Sequence, residues 1–213
     1  MDIYWGGQAL FKLKGKTSTV VIDPFDPEFI GLKLPKDLEA DSVLITHDHG
    51  DHNNVSAVSG NPIVIQGPGE YEVKGVAITG VQAYHDNSQG SERGKDTIYH
   101  IYIDGLNVVH CGDLGHALTE AQIEEIGVTD ILLIPVGGVF TIDAKEATNI
   151  VSQLEPRIVI PMHYSLPGLK VELSPVEDFL KEMGKEGIEP QPKLTISKEK
   201  LPEEAQIVVL AKS

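Results

Sequence analysis

A layered α/β fold is the architecture this sequence predicts, and three observations predict it. The first half carries a series of short apolar or β-branched runs. The second half alternates such runs with stretches of helical period. Among 213 residues, 21 glycines and 13 prolines supply the turns that many short strands need.

Taken in order, Ala9 to Leu13 and Thr19 to Ile22 read as strands on either side of the turn Lys14-Gly15-Lys16. Val43-Leu44-Ile45 is a short unbroken apolar run, as a strand buried on both faces gives. Ile63 to Ile65, Val76 to Ile78 and Ile98 to Ile103 follow, and Asp104-Gly105 makes a two-residue hairpin turn into Leu106 to His110. Thr119 with Gln122 has the capping-box pattern of a helix start, and that helix ends near Gly127. Ile131 to Ile134 is the next strand. Asp143 with Glu146 opens a second helix with an apolar face of Ala144, Ala147, Ile150, Val151 and Leu154. Arg157 to Ile160 returns to strand. Ser174 as cap, Pro175 in the first turn and Glu177 at the acidic third position open a last helix. Leu194 to Ile196 and Ile207 to Leu210 complete the strands. No linker, low-complexity segment or exact repeat divides the chain, so residues 1–213 read as one domain.

Composition narrows the function classes. Hydrophobic residues make up 41% and charged residues 23%, the balance of a folded globular protein. The formal charge of -15 repels nucleic acid and anionic lipid, so neither is an expected partner. Bound cations would offset part of it. The one cysteine, Cys111, excludes a disulfide framework and a cysteine-rich zinc module within one chain. Met1-Asp2-Ile3-Tyr4-Trp5 lacks the basic and apolar segments of a signal peptide, and no apolar stretch approaches a membrane span. These features predict a cytoplasmic protein acting on a small molecule, with a homo-oligomer left open.

The chemistry is concentrated in His47-Asp48-His49-Gly50-Asp51-His52, which follows the buried run Val43 to Ile45. The carboxyl ends of strands are where α/β folds place their sites. Imidazole suits zinc, iron and similar metals, and a carboxylate hardens the set. His47 and His49, two apart, reach one ion from an extended segment. Asp51 and His52 turn to a second, with Gly50 allowing the tight path between them. Asp113 follows the strand Val108 to His110, and His163 follows Ile158 to Ile160, so three buried strands end in candidate ligands. Alone, Asp113 would read as a loop cap and His163 as a structural histidine. The combination makes them ligands. His85 is a further candidate, with His100, His110 and His116 as competitors. His100 lies within a strand. His110 has opposite parity to Asp113 and faces away from it. His116 sits close after Asp113 as a candidate rim residue that assists catalysis. Cys111 shares the parity of Asp113 but reads as a small buried residue.

His-x-His-x-Asp-His after a buried strand resembles the signature of the metallo-β-lactamase superfamily. Asp23 in Val21-Ile22-Asp23-Pro24, His85 in Ala83-Tyr84-His85-Asp86, Gly112-Asp113 and Pro161-Met162-His163-Tyr164 match further family stretches in the expected order, across nearly the whole chain. The resemblance is to the small bacterial Zn-dependent hydrolases of the superfamily, akin to ascorbate-phosphate lactonase. It implies a four-layer αββα sandwich with a metal site between the sheet edges. It implies two divalent ions, zinc foremost, with manganese or iron as alternatives. His47, His49 and His85 would hold the first ion. Asp51, His52 and His163 would hold the second, with Asp113 bridging and Asp23 supporting the histidine loop from behind. Asp51, Asp113 and His116 are the candidate catalytic groups. Water held between the ions would form hydroxide near neutral pH and attack a carbonyl or phosphoryl centre.

The predicted activity is hydrolysis of a small, anionic ester, lactone or phosphodiester. The glycine-rich loop Asp86 to Lys95 with Arg93 is a candidate lid with an anion-binding residue. Ile134-Pro135-Val136-Gly137-Gly138 is expected to line the site with backbone. Gln8 stands where many relatives carry histidine, and it offers hydrogen bonds but no acid or base. Two other readings are a non-catalytic metal- or ligand-binding module and a redox di-iron enzyme. His49 occupies the place of the glutamate the di-iron enzymes carry.

Overall fold

The computed structural model describes residues 1–213. Thirteen strands build two mixed sheets. In the first sheet, β1 (Asp2–Gly7), β2 (Leu10–Lys14), β3 (Thr19–Ile22), β4 (Ser42–Ile45) and β5 (Ile63–Gln66) lie side by side in chain order. β12 (Leu194–Thr195) is added at the β1 edge. The second sheet contains β6 (Gly69–Val73), β7 (Val76–Tyr84), β8 (Lys95–Ile103), β9 (Leu106–His110), β10 (Ile131–Pro135), β11 (Ile158–Met162) and β13 (Gln206–Ile207). Its spatial order is β13-β11-β10-β9-β8-β7-β6.

Each sheet changes from antiparallel to parallel pairing along its width. β1, β2 and β3 pair antiparallel, whereas β3, β4 and β5 pair parallel. In the second sheet β6 to β9 form an antiparallel meander, and β9, β10, β11 and β13 pair parallel. The parallel strands all send their carboxyl ends to the same edge of their sheet, which gathers the loops after them. At the β8–β9 turn Asp104 and Gly105 both have positive φ, 54° and 81°, as the two-residue hairpin requires.

The two sheets face each other across a main core of 45 buried apolar residues. Alternation assigns the faces. Val20, Ile22 and Leu44 point into this core, while Val21, Val43 and Ile45 belong to a second cluster outside the first sheet. That cluster explains why Val43 to Ile45 reads as apolar throughout. The covering layers are unequal. α2 (Glu120–Ile126), α3 (Ala144–Leu154) and α4 (Val176–Glu182) belong to the half of the chain that builds the second sheet, whereas the outer face of the first is covered by α1 (Pro27–Ile30) and loop residues Leu32, Leu38 and Val58. The αββα sandwich is therefore present with one thin outer layer.

The capping boxes of Thr119 with Gln122 and Asp143 with Glu146 both form. Ser174 does not cap the last helix: Pro175 occupies the cap position and makes no side-chain bond, so α4 begins one residue later than its sequence pattern suggests. The strands expected at Leu194 to Ile196 and Ile207 to Leu210 shorten to two-residue pairings. No helix is long and apolar enough to cross a membrane.

Candidate metal centre

Six strand ends of the two sheets supply the site. From the first sheet come Gln8 after β1, Asp23 after β3, and the segment His47 to His52 after β4. From the second come His85 after β7, Asp113 after β9 and His163 after β11. The candidate ligands fall into two groups, His47-His49-His85 and Asp51-His52-Asp113-His163, and within each the donor atoms lie within 4.8 Å of one another. His49 is exposed and Asp51 half-buried, while the other five are buried.

Asp113 sits where the groups meet. Its Oδ2 lies 3.1 Å from His52 Nε2, 3.4 Å from His85 Nε2 and 3.4 Å from His163 Nε2. Its Oδ1 is buried without a hydrogen-bond partner. His52 Nδ1 is 2.9 Å from Asp23 Oδ2 and donates to it. A neutral His52 therefore turns the Nε2 lone pair toward Asp113 Oδ2, and also toward Asp51 Oδ2 at 3.4 Å. Lone pairs facing carboxylate oxygens at these distances repel unless a cation lies among them. Without a metal a proton takes that place. Burial lowers the affinity of His52 for a proton, but Asp113, Asp51 and Asp23 outweigh burial and raise its pKa well above the usual histidine value. Burial raises the Asp113 and Asp51 carboxyls, yet the histidines outweigh it and both are held well below the carboxylate range, His163 and His52 acting on Asp113 and His52 first on Asp51. Burial lowers the value of His85, and partial desolvation with the neighbouring His47 lowers that of His49, which favours neutral imidazole, the metal-binding form. Buried ring nitrogens without hydrogen-bond partners include Nε2 of His47 and Nε2 of His52. The donor set fits divalent cations by charge, by chemistry and by these unpaired atoms.

Positive φ recurs among the supporting residues. Gln8 (49°), Asp23 (48°) and His163 (52°) are all left-handed without being glycine, a conformation that costs energy and persists only where the surrounding structure holds it. Surrounding bonds hold each of them. Asp23 accepts from Thr46 N at 2.9 Å and Thr46 Oγ1 at 2.8 Å. His163 N donates to Gln8 O at 3.2 Å, and Trp5 Nε1 to the same oxygen at 2.8 Å. Gln8 Nε2 lies 3.0 Å from His163 Nε2 and 3.5 Å from Asp51 Oδ2.

Other expectations find their places. Asp23 lies behind His52. His110 turns into the core, with Nε2 2.8 Å from Ala9 O, and His100 pairs with Asn107 within the sheet. Cys111 is buried, burial pushes its thiol up, and it belongs to neither group of candidate ligands. His116 is not brought to the site cavity. Its Nε2 accepts from Tyr84 N at 3.2 Å and its Nδ1 donates to Ala117 O at 2.7 Å, so both nitrogens serve the loop. Gly50 has no left-handed φ, and a Cβ there would make only ordinary contact with Phe29 at 3.5 Å. The path through the motif is held instead by bonds such as Asp26 N to Gly50 O. Gly137 supports the site rather than lining it, since its Cα packs against the carbonyl of His163 where no Cβ fits.

A cavity of about 350 Å³ opens onto Asp51, His85, Asp113 and His163, with Phe29, Phe140 and Val171 as apolar wall. A neighbouring polar chamber of about 440 Å³ shares His49 and Arg93 with it and has no apolar lining residue. The loop between β7 and β8 is anchored, not loose. The Asp86 carboxylate accepts backbone N–H bonds from Ser88, Gly90, Glu92 and Arg93 at 2.7 to 3.1 Å, led by Arg93, which bring its pKa down to about 2. Arg93 reaches Val139 O at 3.3 Å and lies over the Phe140 ring at 5.7 Å. Phe29, Phe140 and Asp96 were not legible as site residues: Phe29 lies in the four-residue α1, Phe140 in a turn, and Asp96 meets the loops after β4 and β9 only in the folded structure.

Residues 2–163 match the model of the β-lactamase superfamily domain. A metal-dependent hydrolase of the UPF0173 group from Thermococcus onnurineus is 35% identical over 187 residues, covering 75% of this chain and 82% of the relative. A crystal structure from Thermotoga maritima, provisionally assigned as a Zn-dependent hydrolase of the metallo-β-lactamase superfamily, is 41% identical with a TM-score of 0.81. The match covers 98% of this chain and 97% of that one. A diiron β-hydroxylase from Streptomyces venezuelae shares the fold alone, at 14% identity and a TM-score of 0.53 over 76% of this chain and 44% of that one. The motif, the two-sheet sandwich and these relatives place the chain in the metallo-β-lactamase superfamily, among its metal-dependent hydrolases.

Proposed function

We propose that this hydrolase holds two divalent metal ions, zinc foremost, and cleaves a small anionic ester, lactone or phosphodiester. His47, His49 and His85 would hold one ion, and Asp51, His52 and His163 the other, with Asp113 between them. The observation that carries this reading is the convergence of His52, His85 and His163 Nε2 on one oxygen of Asp113. The Zn-dependent assignment of the Thermotoga maritima relative supports zinc. Manganese or iron would suit the same mixed donors.

Ions at such a site acidify water and draw charge from a carbonyl or phosphoryl oxygen. The chain's own residues do the rest. Asp51 lies at the cavity wall, 15% exposed, where its carboxylate would accept a hydrogen bond from the attacking water and orient it. Arg93 stands at the junction of the two chambers, and its guanidinium would pair with a substrate anion. The Phe29 and Phe140 rings, 56% and 38% exposed, would cover an apolar part and exclude water. Gln8 would hold Asp51 in place through its amide without exchanging a proton. His116 receives no step, because both of its nitrogens are engaged. The negative surface and the small chambers favour a metabolite over a polymer as partner.

The test is metal analysis of protein prepared without chelators, followed by a screen of lactones, phosphodiesters and thioesters. Two ions per chain and hydrolysis of one class are expected, with Asp113→Asn losing at least about a hundredfold in kcat/KM. Metal-free protein, or hydrolysis that survives complete metal removal, overturns the reading.

A further inference from the structure

A buried carboxylate lies behind the first histidine of the motif. Asp96, in β8, is fully buried, and neither of its oxygens makes a hydrogen bond. A carboxylate withdrawn from water without donors is strongly disfavoured, so a partner is expected beside it. The basic group beside it is His47, whose Nδ1 lies 3.4 Å from Asp96 Oδ1. The same Nδ1 lies 3.0 Å from Thr46 Oγ1. Thr46 already gives its hydroxyl hydrogen to Asp23 Oδ2 at 2.8 Å, so it meets His47 as an acceptor. Both neighbours of His47 Nδ1 are then acceptors. The proton belongs on Nδ1, and the lone pair falls on Nε2. That Nε2 is buried, has no hydrogen-bond partner, and sits in the group with His49 and His85.

Asp96 also packs on the turn that carries Asp113. Gly112 has φ +55°, and a Cβ there would lie 2.5 Å from Asp96 Oδ1 and 2.7 Å from Oδ2. The carboxylate therefore fills the space that a side chain at position 112 would need. Asp23 occupies the equivalent place behind His52 in the other group, accepting its Nδ1–H at 2.9 Å. Each group thus has one buried carboxylate behind one histidine, Asp23 from the first sheet and Asp96 from the second.

We infer that Asp96 is a positioning residue for the metal centre: its charge beside His47 Nδ1, with Thr46 Oγ1 accepting the Nδ1–H, fixes the tautomer that turns Nε2 to the metal, and its side chain seats the Gly112-Asp113 turn. This rests on the metal-binding reading proposed above. A carboxylate behind a metal-binding imidazole raises its basicity and fixes its orientation.

The experiment compares wild type, Asp96→Asn, Asp96→Ala and the core control Val108→Ala. It measures zinc affinities by chelator competition and histidine tautomers by 15N NMR. Wild type is expected to bind two zinc ions. Both Asp96 variants are expected to lose ten- to a hundredfold in affinity for one ion and keep the other, and the His47 Nδ1–H signal gives way to a tautomer mixture. Val108→Ala is expected to melt earlier with both affinities unchanged. Asp96→Asn preserves shape and decides the matter if Asp96→Ala does not fold. Asp96 variants that hold both ions at wild-type affinity with the His47 tautomer unchanged overturn the inference alone. Wild type that binds no zinc overturns the metal-binding reading and this inference with it.

Discussion

At the scale of single residues, hydrogen-bond direction determines what the site can hold. Asp23 takes three donors, Thr46 N, Thr46 Oγ1 and His52 Nδ1, and is fully buried. Its negative charge is useful because every neighbour gives it a hydrogen. Asp23→Asn would point an amide N–H at one of those donors and release the His52 ring. The expected loss is about 1–3 kcal/mol of stability for the broken charged bonds and ten- to a hundredfold in affinity for one metal ion. Denaturant titration and chelator competition on the same preparation measure both. A variant with normal metal affinity would mean that His52 is oriented by packing alone.

Elements owe their positions to longer connections, and Asp130 provides one with a testable pH dependence. Located just before β10, it accepts from Asn107 N at 2.8 Å and Asn107 Nδ2 at 2.9 Å, and from Lys198 Nζ at 2.8 Å. It thereby ties the start of β9 to the segment after β12. Burial raises its pKa, but Lys198 and Asn107 outweigh burial and lower it overall. A depressed carboxylate contributes stability that is present above its unfolded value of about 3.9 and is lost as pH falls through the lower folded value. Asp130→Asn should therefore cost about 2 kcal/mol at neutral pH, and the difference from wild type should shrink below about pH 4. Urea midpoints at pH 7 and pH 3 check this, and an equal gap at both would refute it. The same scale explains what the sequence made legible. β4, β10 and β11 are buried on both faces and read as apolar runs, and the residues after β4 and β11 belong to the two groups of candidate ligands. β1 was hidden because Asp2-Ile3-Tyr4-Trp5-Gly6-Gly7 ends in glycines, and β6 because Gly69-Glu70-Tyr71-Glu72-Val73 is a polar, largely exposed strand at the sheet edge. α1 has too few residues to show a period. Asp96 carries no local signal, because its neighbours His47 and Gly112 are distant in sequence and meet it only once the sheets stack.

For the whole molecule, the candidate metal centre lies across the seam between the two sheets. Asp51 and His52 come from the first sheet, and Asp113 and His163 from the second, yet all four donors belong to one group. The other group joins His47 and His49 to His85 in the same way. Asp113 and Asp51 carry negative charge at this seam, with Asp23 and Asp96 buried close behind it. Cations there would link the sheets, and their removal would leave repulsion in their place. A ligand that binds only the folded state at a hundred times its Kd adds about 2.7 kcal/mol per site. For a chain of 213 residues each kcal/mol moves Tm by roughly 2–4 °C. Chelation should accordingly lower Tm by at least about 5 °C, and returning zinc should restore it. Asp113→Asn should show a smaller response to both, because the group that contains Asp113 is already weakened. Calorimetry with and without chelator measures the shift. Protein whose metal is verifiably gone but whose Tm is unchanged would mean that the sandwich closes over these carboxylates unaided, and the centre would have no role in stability.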